Sequence, residues 1–220
     1  MKTPSPDLVS DLAQVADGLE PVIIRRRGSS PAAPGRVIAH ALRRAVTTRE
    51  AAASDGRYTA SDVTWHLPVA ELPAAPRLGD VLCDAEGRRW TVLDVAGTAL
   101  GSRWRCAARS LAVVYALDDT ITVLQAVYTP GTGGAAVPAW QVWLTGIRAR
   151  IQPVASQSDV LHAAWQTVTR YRIFVEQTLK LDHTHRIQGP DGTIYKVLGT
   201  TAAELIGELE SIEAEVTPWP

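Results

Sequence analysis

One short pattern occurs twice in this chain and constrains its fold more than any other feature. Gly79–Val95 reads GDVLCDAEGRRWTVLDV, and Arg186–Leu198 reads RIQGPDGTIYKVL. In each, β-rich runs flank a polar turn closed by glycine, Gly87 or Gly192, which is the local signature of a β-hairpin. Glycine supplies the positive φ such a turn needs, having no Cβ to clash. Each hairpin places a large aromatic residue, Trp90 or Tyr195, three positions past the turn glycine.

The surrounding elements also repeat. A shift of 105 residues superposes the halves without a gap: Val22 on Val127, Val37 on Val142, Leu42 on Ile147, Val46 on Ile151, Leu82 on Ile187, Trp90 on Tyr195 and Val92 on Val197. The order strand, polar excursion, strand, hairpin and closing strand runs through twice. The reading is a mainly-β chain of two tandem small β-barrel-like domains, residues 21–115 and 116–220, after a short helical segment at 1–20. About six strands in ~100 residues is enough for each unit to hold its own core.

The individual elements follow from pattern. Ser10 is the N-cap expected for a helix carrying Leu12, Val15 and Leu19. Strands are expected at Val22–Ile24, Arg36–Val46, Tyr58–Val69, Arg103–Tyr115, Thr120–Tyr128, Trp140–Ile151 and Thr167–Leu179. Gly207–Val216 reads as a strand or helix with four glutamates alternating with apolar residues. The long excursion loops are Thr47–Gly56, with room for a helical turn, and Pro153–Leu161.

Composition narrows the function classes. Apolar residues make up 46% of the 220, so a packed core is expected, and the net charge of −1 gives no bulk attraction for nucleic acid or membranes. Residues 1–110 sum to +3 and residues 111–220 to −4. No stretch has a signal-peptide or membrane-span pattern, so synthesis in the cytoplasm is expected. Two cysteines, Cys83 and Cys106, fall in strand-like runs and read as buried free thiols. Asp182, His183 and His185 lack converging ligands and read as a polar strand entry. Gly131–Gly134 lacks the Gly-Lys-Ser/Thr of a phosphate loop and reads as a connector. No nucleophile–base arrangement stands out, so neither catalytic residues nor cofactors nor metals are expected.

The second half carries, in order, GIRARIQPVAS, TVTRYRIFVEQ and HRIQGPDGTIYKVLGT. Over Trp140–Val216 this resembles the phage head–tail joining family of head-completion or stopper proteins, here as a tandem duplication. The first half departs from that pattern in having Trp90 for the tyrosine and an Ala/Pro-rich stretch near 68–76. The resemblance implies a β-barrel with a long excursion loop that assembles into a homo-oligomeric ring. It further implies a place in the virion neck, between a portal or adaptor protein on the head side and a tail terminator or tail tube protein on the tail side. DNA would pass through the lumen without sequence-specific binding. The rival reading is an intracellular OB- or SH3-like binding module for nucleic acid or peptide.

Interface candidates follow from charge and aromatic placement. Arg25, Arg26 and Arg27 end the first strand. Arg103, Arg105 and Arg109 share one face of theirs, opposite Trp104 and Cys106. That strip is expected to pair with an acidic row, Glu208 and Glu210, of a neighbouring copy. Trp219, within Thr-Pro-Trp-Pro, is either a frayed tail or a plug for a partner's pocket. Trp65, Trp90 and Trp104 read as core or interface anchors.

Overall fold

The computed structural model describes residues 17–29, 33–98, 100–130, 136–161 and 164–217, with residues 130, 155–161 and 164–168 described by backbone alone. Two closed antiparallel barrels of six strands each account for most of them. The first is built from β1 (Leu19–Arg25), β2 (Arg36–Ala45), β3 (Val63–Pro68), β4 (Val81–Cys83), β5 (Arg89–Gly97) and β6 (Arg103–Arg109). The second is built from β7 (Asp119–Pro130), β8 (Ala136–Leu161), β9 (Ala164–Val175), β10 (His185–Gln188), β11 (Ile194–Thr201) and β12 (Glu210–Val216). The strands close in the order β1-β2-β3-β6-β5-β4 in one barrel and β7-β8-β9-β12-β11-β10 in the other, so the same connectivity is used twice. Two short helices, α1 (Thr48–Ala53) and α2 (Leu111–Val114), complete the described elements. The chain divides into two compact units between Val114 and Tyr115, with Leu205–Gly207 grouped with the first.

Each barrel encloses its own core because alternate residues of every strand face inward. The first is filled by Val22, Ile24, Ile38, Ala41, Trp65, Leu67, Leu82, Trp90, Val92, Cys106 and Ala108. The second is filled by Ile121, Val123, Ile147, Ala149, Ile173, Val175, Ile187, Tyr195, Val197, Ile212 and Ala214. Both cysteines are buried and free. Burial drives the Cys106 thiol pKa up to about 12.

The hairpins equate across the barrels as the repeat predicts. Leu82 faces Trp90 as Ile187 faces Tyr195, and both turns put their glycine at positive φ. Strand pairing overturns a gap-free shift elsewhere. Ile24 lies beside Leu82 where Val123 lies beside Ile187, so Val22 corresponds to buried Ile121, not to exposed Val127. Likewise Ile38 pairs with Val22 as Ile147 pairs with Ile121, which displaces the Leu42–Ile147 match. Trp65 pairs with Cys106 as Ile173 pairs with Ile212. Insertions are absorbed at bulges and strand ends, because a barrel fixes which residues point inward but not the length of what joins them.

The turn opposite the aromatic is built in two ways. In the first barrel Asp84 has a fully buried carboxylate. Its Oδ2 accepts from Trp90 Nε1 at 3.1 Å, Arg88 Nε at 2.8 Å and Arg43 at 3.2 Å, while Oδ1 accepts from the Arg88 backbone at 2.8 Å. The Arg43 guanidinium also stacks over Trp65 and Trp90, 5.6 and 5.7 Å from the ring centroids. At the matching turn position the second barrel has Gly189. A Cβ there would come within 3.1 Å of both Tyr195 Cε2 and Asp191 Oδ1, so the tyrosine ring occupies the space.

Several expected elements change on folding. The strand from Arg103 ends at Arg109, where its β3 and β5 partners run out, and Leu111–Val114 turns helical with Leu111 buried. Tyr58 precedes a turn at Thr59–Asp62, closed by Asp62 Oδ2 accepting from the Thr59 backbone at 2.7 Å, so β3 starts at Val63. The excursion at Thr47 contains α1, capped by Thr47 and Glu50 reciprocally. Thr-x-x-Glu is a helix-start signal that the sequence reading passed over. The expected loop at Pro153–Leu161 is instead the continuation of β8, paired with β9 past a register shift at Pro153. Of the expected helical segment, residues 1–16 lie outside the described residues, and Leu19–Glu20 already belong to β1.

Candidate functional site

β8 is the element that sets the second barrel apart. It pairs with β7 from Ala136 to Ala149 and with β9 from Ala149 to Leu161, so one strand passes along the barrel wall from a ribbon at one end to a ribbon at the other. At one end, β7 pairs with β10 over Thr122–Gln125 and the Ala126 N–H still donates to Thr184 O at 2.9 Å, leaving Val127–Pro130 and Ala136–Ala139 as a two-stranded ribbon. At the other, β9 pairs with β12 only over Arg170–Val175, so Ala164–Thr169 and Ser156–Leu161 form a second ribbon. Four to six residues of extended chain reach roughly 13–20 Å beyond the paired barrel wall.

The side chains of the β7–β8 ribbon are unusual for a protruding edge. Such ribbons are normally protected by charge, lysine above all. Here the chain carries no Asp, Glu, Lys, Arg or His from Thr120 to Ile147. Cross-strand register puts Val127 beside Ala139 and Thr129 beside Val137 on one face, and Tyr128 beside Pro138 and Ala126 beside Trp140 on the other. Val127, Tyr128 and Val137 are 39, 55 and 53% exposed, and Val142, farther along β8, is 61% exposed. Trp140 is roofed by the Arg186 guanidinium, 4.3 Å from its ring centroid. The Val127 face is therefore apolar and open, and the Tyr128 face is apolar and open beyond the Arg186 cover at its base, a surface suited to another protein. The charge-free run is the sequence signal that marks it, and sequence reasoning missed it because the run was divided between a strand, a Gly-rich connector and a second strand.

The expected interface residues are mostly engaged within their own barrels. Arg26 pairs with the buried Asp80 carboxylate at 2.6 Å, Asp80 also accepts from the Arg27 backbone, and Arg25 donates to Ala33 O and Cys83 Sγ. The triplet thus fastens β1 to the β4 entry. Arg103 is buried and donates to His66 O, Arg105 meets Glu50 at 3.3 Å, and Arg109 grips buried Asp62 through two nitrogens at 2.8 and 2.7 Å. The strip does not form one free surface, because partners from β3 and the excursion reach each guanidinium. The proposed acidic row also dissolves. Glu210 is buried with the core face of β12, accepting from the Leu179 backbone, and only Glu208 is exposed. Burial raises the Glu210 pKa against the lowering effect of that hydrogen bond. Trp219 and Gly131–Gly134 lie outside the described residues.

Trp65 is fully buried, Trp90 nearly so, and Trp104 donates to Leu72 O at 2.8 Å, so all three belong to the barrel. His185 is buried at the start of β10, its Nδ1 2.8 Å from Asp182. Hydrogen bonds from Thr184 lead in lowering the Asp182 pKa to about 2. Among the described residues no group of three or more His, Cys, Asp and Glu is placed to hold a metal ion.

No protein-family model matches the chain, and no curated protein sequence matches it. Among solved structures it is similar to a chain from the virion of a native gene transfer agent particle, with 14% identity and a TM-score of 0.37, covering 44% of this chain and 90% of that one.

Proposed function

We propose that this chain is a structural protein of a phage-type particle and that it assembles through the apolar β7–β8 ribbon. The observation that carries the reading is that ribbon: Val127, Tyr128 and Val137 are open to solvent, and the ribbon's own strands contribute no charged side chain. A monomer that worked alone would leave an unprotected edge able to pair with other chains. An assembly protein uses the same edge, adding a neighbour's strand or covering the apolar faces. The sequence resemblance over Trp140–Val216 supports the finer reading, a ring in the virion neck between portal or adaptor and tail. Ribbons at opposite ends of one barrel suit a subunit that meets a different neighbour at each end. In this reading the chain has no catalytic role, and its partners are its own copies and the rings above and below.

Native mass measurement and negative-stain imaging of the purified protein, alone and with portal or tail complexes, test the proposal. Closed rings, free or on those complexes, are expected. Tyr128→Glu and Val137→Lys should abolish them while leaving the circular dichroism of the fold unchanged. A monomer that ignores the complexes, or rings indifferent to both substitutions, would sink it. If that monomer also retards DNA, the binding-module reading takes its place.

A further inference from the structure

We propose that the outer wall of the first barrel carries an anion site for a phosphate group, formed by Arg44, Arg105, His66 and Thr64, which Glu50 gates. The register of three strands brings these residues together. Arg44 on β2 lies directly opposite Thr64 on β3, and His66, two residues along on the same face, lies directly opposite Arg105 on β6. They line a pocket of about 390 Å³ together with Ala45, Thr47 and Glu50. The last two belong to the capped start of α1, which follows β2 and closes one side.

The charges in the pocket do not balance. Arg44 is exposed and makes no ion pair among the described residues, while Arg105 is held by Glu50 alone, at 3.3 Å with both side chains nearly half exposed. One carboxylate therefore faces two guanidiniums. His66 senses the excess: burial, then Arg44, Arg103 and Arg105, hold its pKa below the usual histidine range, with Glu50 as the opposing influence. The site thus offers two arginine forks, an imidazole and the Thr64 hydroxyl around one concavity, the donor set that recognises a tetrahedral oxyanion. A bound phosphate would compete with Glu50 for Arg105 and would favour protonated His66, so the His66 pKa rises when the site fills. This site is independent of the assembly reading. The phosphate has two sources, a nucleic-acid backbone or a small free phosphate, and they share this chemistry.

The His66 ring resonances of the full chain report the site. They should be followed during titration with inorganic phosphate and, separately, with a short DNA duplex. Saturable shifts and a raised His66 pKa are expected. Arg44→Gln should weaken binding about fivefold, the order expected for one unit charge ~4 Å away in water. Glu50→Gln, which keeps the reciprocal cap because glutamine also serves at that position, should tighten it by a similar factor. Arg36→Gln, outside the pocket, should leave the inorganic phosphate affinity unchanged. Tightening by the glutamine variant is the decisive arm, since a purely structural ion pair would not predict it. Response to DNA alone, or to inorganic phosphate alone, assigns the source. No His66 response to either, or equal loss from Arg36→Gln and Arg44→Gln with inorganic phosphate, would overturn the site.

Discussion

Replacing Asp84 by asparagine removes one charge from the centre of the first barrel's hairpin and leaves the shape nearly intact. The carboxylate is fully buried and receives four donors, three of them on Oδ2. An amide placed there either turns its NH₂ toward Trp90, Arg88 and Arg43 or flips it toward the Arg88 backbone N–H, so donor faces donor in both orientations. Breaking a buried charged pair costs about 3–5 kcal/mol when both members are desolvated. Here the Arg88 and Arg43 side chains are 49 and 27% exposed and regain water. Whichever way the amide lies, one N–H, that of the Trp90 indole or of the Arg88 backbone, is by contrast left without its acceptor, at about 1–3 kcal/mol. The expected loss is about 2–4 kcal/mol, which for a unit of this size lowers its midpoint by at least roughly 8 °C.

Urea and thermal unfolding, followed by tryptophan fluorescence and calorimetry, should show the first barrel weakened while the second is unchanged. The pH dependence adds a signed check. Burial alone would raise the Asp84 pKa, but hydrogen bonds from Trp90 and Arg88 more than offset it and hold it below the usual carboxylate range. Its contribution is therefore present above the unfolded value of about 3.9 and is lost as pH falls through the lower folded value. The gap between wild type and Asp84→Asn should close across that acid window. A loss under about 1 kcal/mol, below the usual cost of a buried unsatisfied group, would refute the account.

Three further outcomes follow from the same geometry. Gly189→Ala should destabilise the second barrel by about 1–2 kcal/mol, because its Cβ meets Tyr195 and Asp191 at 3.1 Å, and unchanged urea midpoints would contradict it. Cys106, fully buried with its thiol pKa pushed up to about 12, should resist thiol reagents at pH 8 until the barrel opens; rapid labelling of native protein would show otherwise. Glu210→Gln should stabilise the second barrel near pH 7 by about 1 kcal/mol, because burial raises the acid's pKa and disfavours its charged form. That gain should shrink as pH falls through the raised folded value, and a stability loss at pH 7 would reverse the reasoning.

Much of the architecture was legible because its signals are local. The two glycine-closed turns, the alternation in β1, β2 and β9, and the aromatic three residues past each turn all lie within a few residues of one another. The repeat was legible as an order of elements and misread as a constant spacing, since Val22 matches Ile121 through pairing with a strand distant in sequence. The interface candidates fared worse. Charge on a strand says which residues share a face. It does not say that Asp62 lies beneath Arg109, or that Glu50 comes over from α1 to meet Arg105.

By itself, then, the chain determined its strands, its hairpins and its duplication, because alternation and turn chemistry act between neighbours. Barrel closure decided the rest. It chose which polar residues were buried with partners, made β8 one continuous strand with a ribbon at each end, and turned an uncharged run into an exposed edge. Those outcomes depend on contacts between residues far apart in sequence, where burial and pairing override local preference.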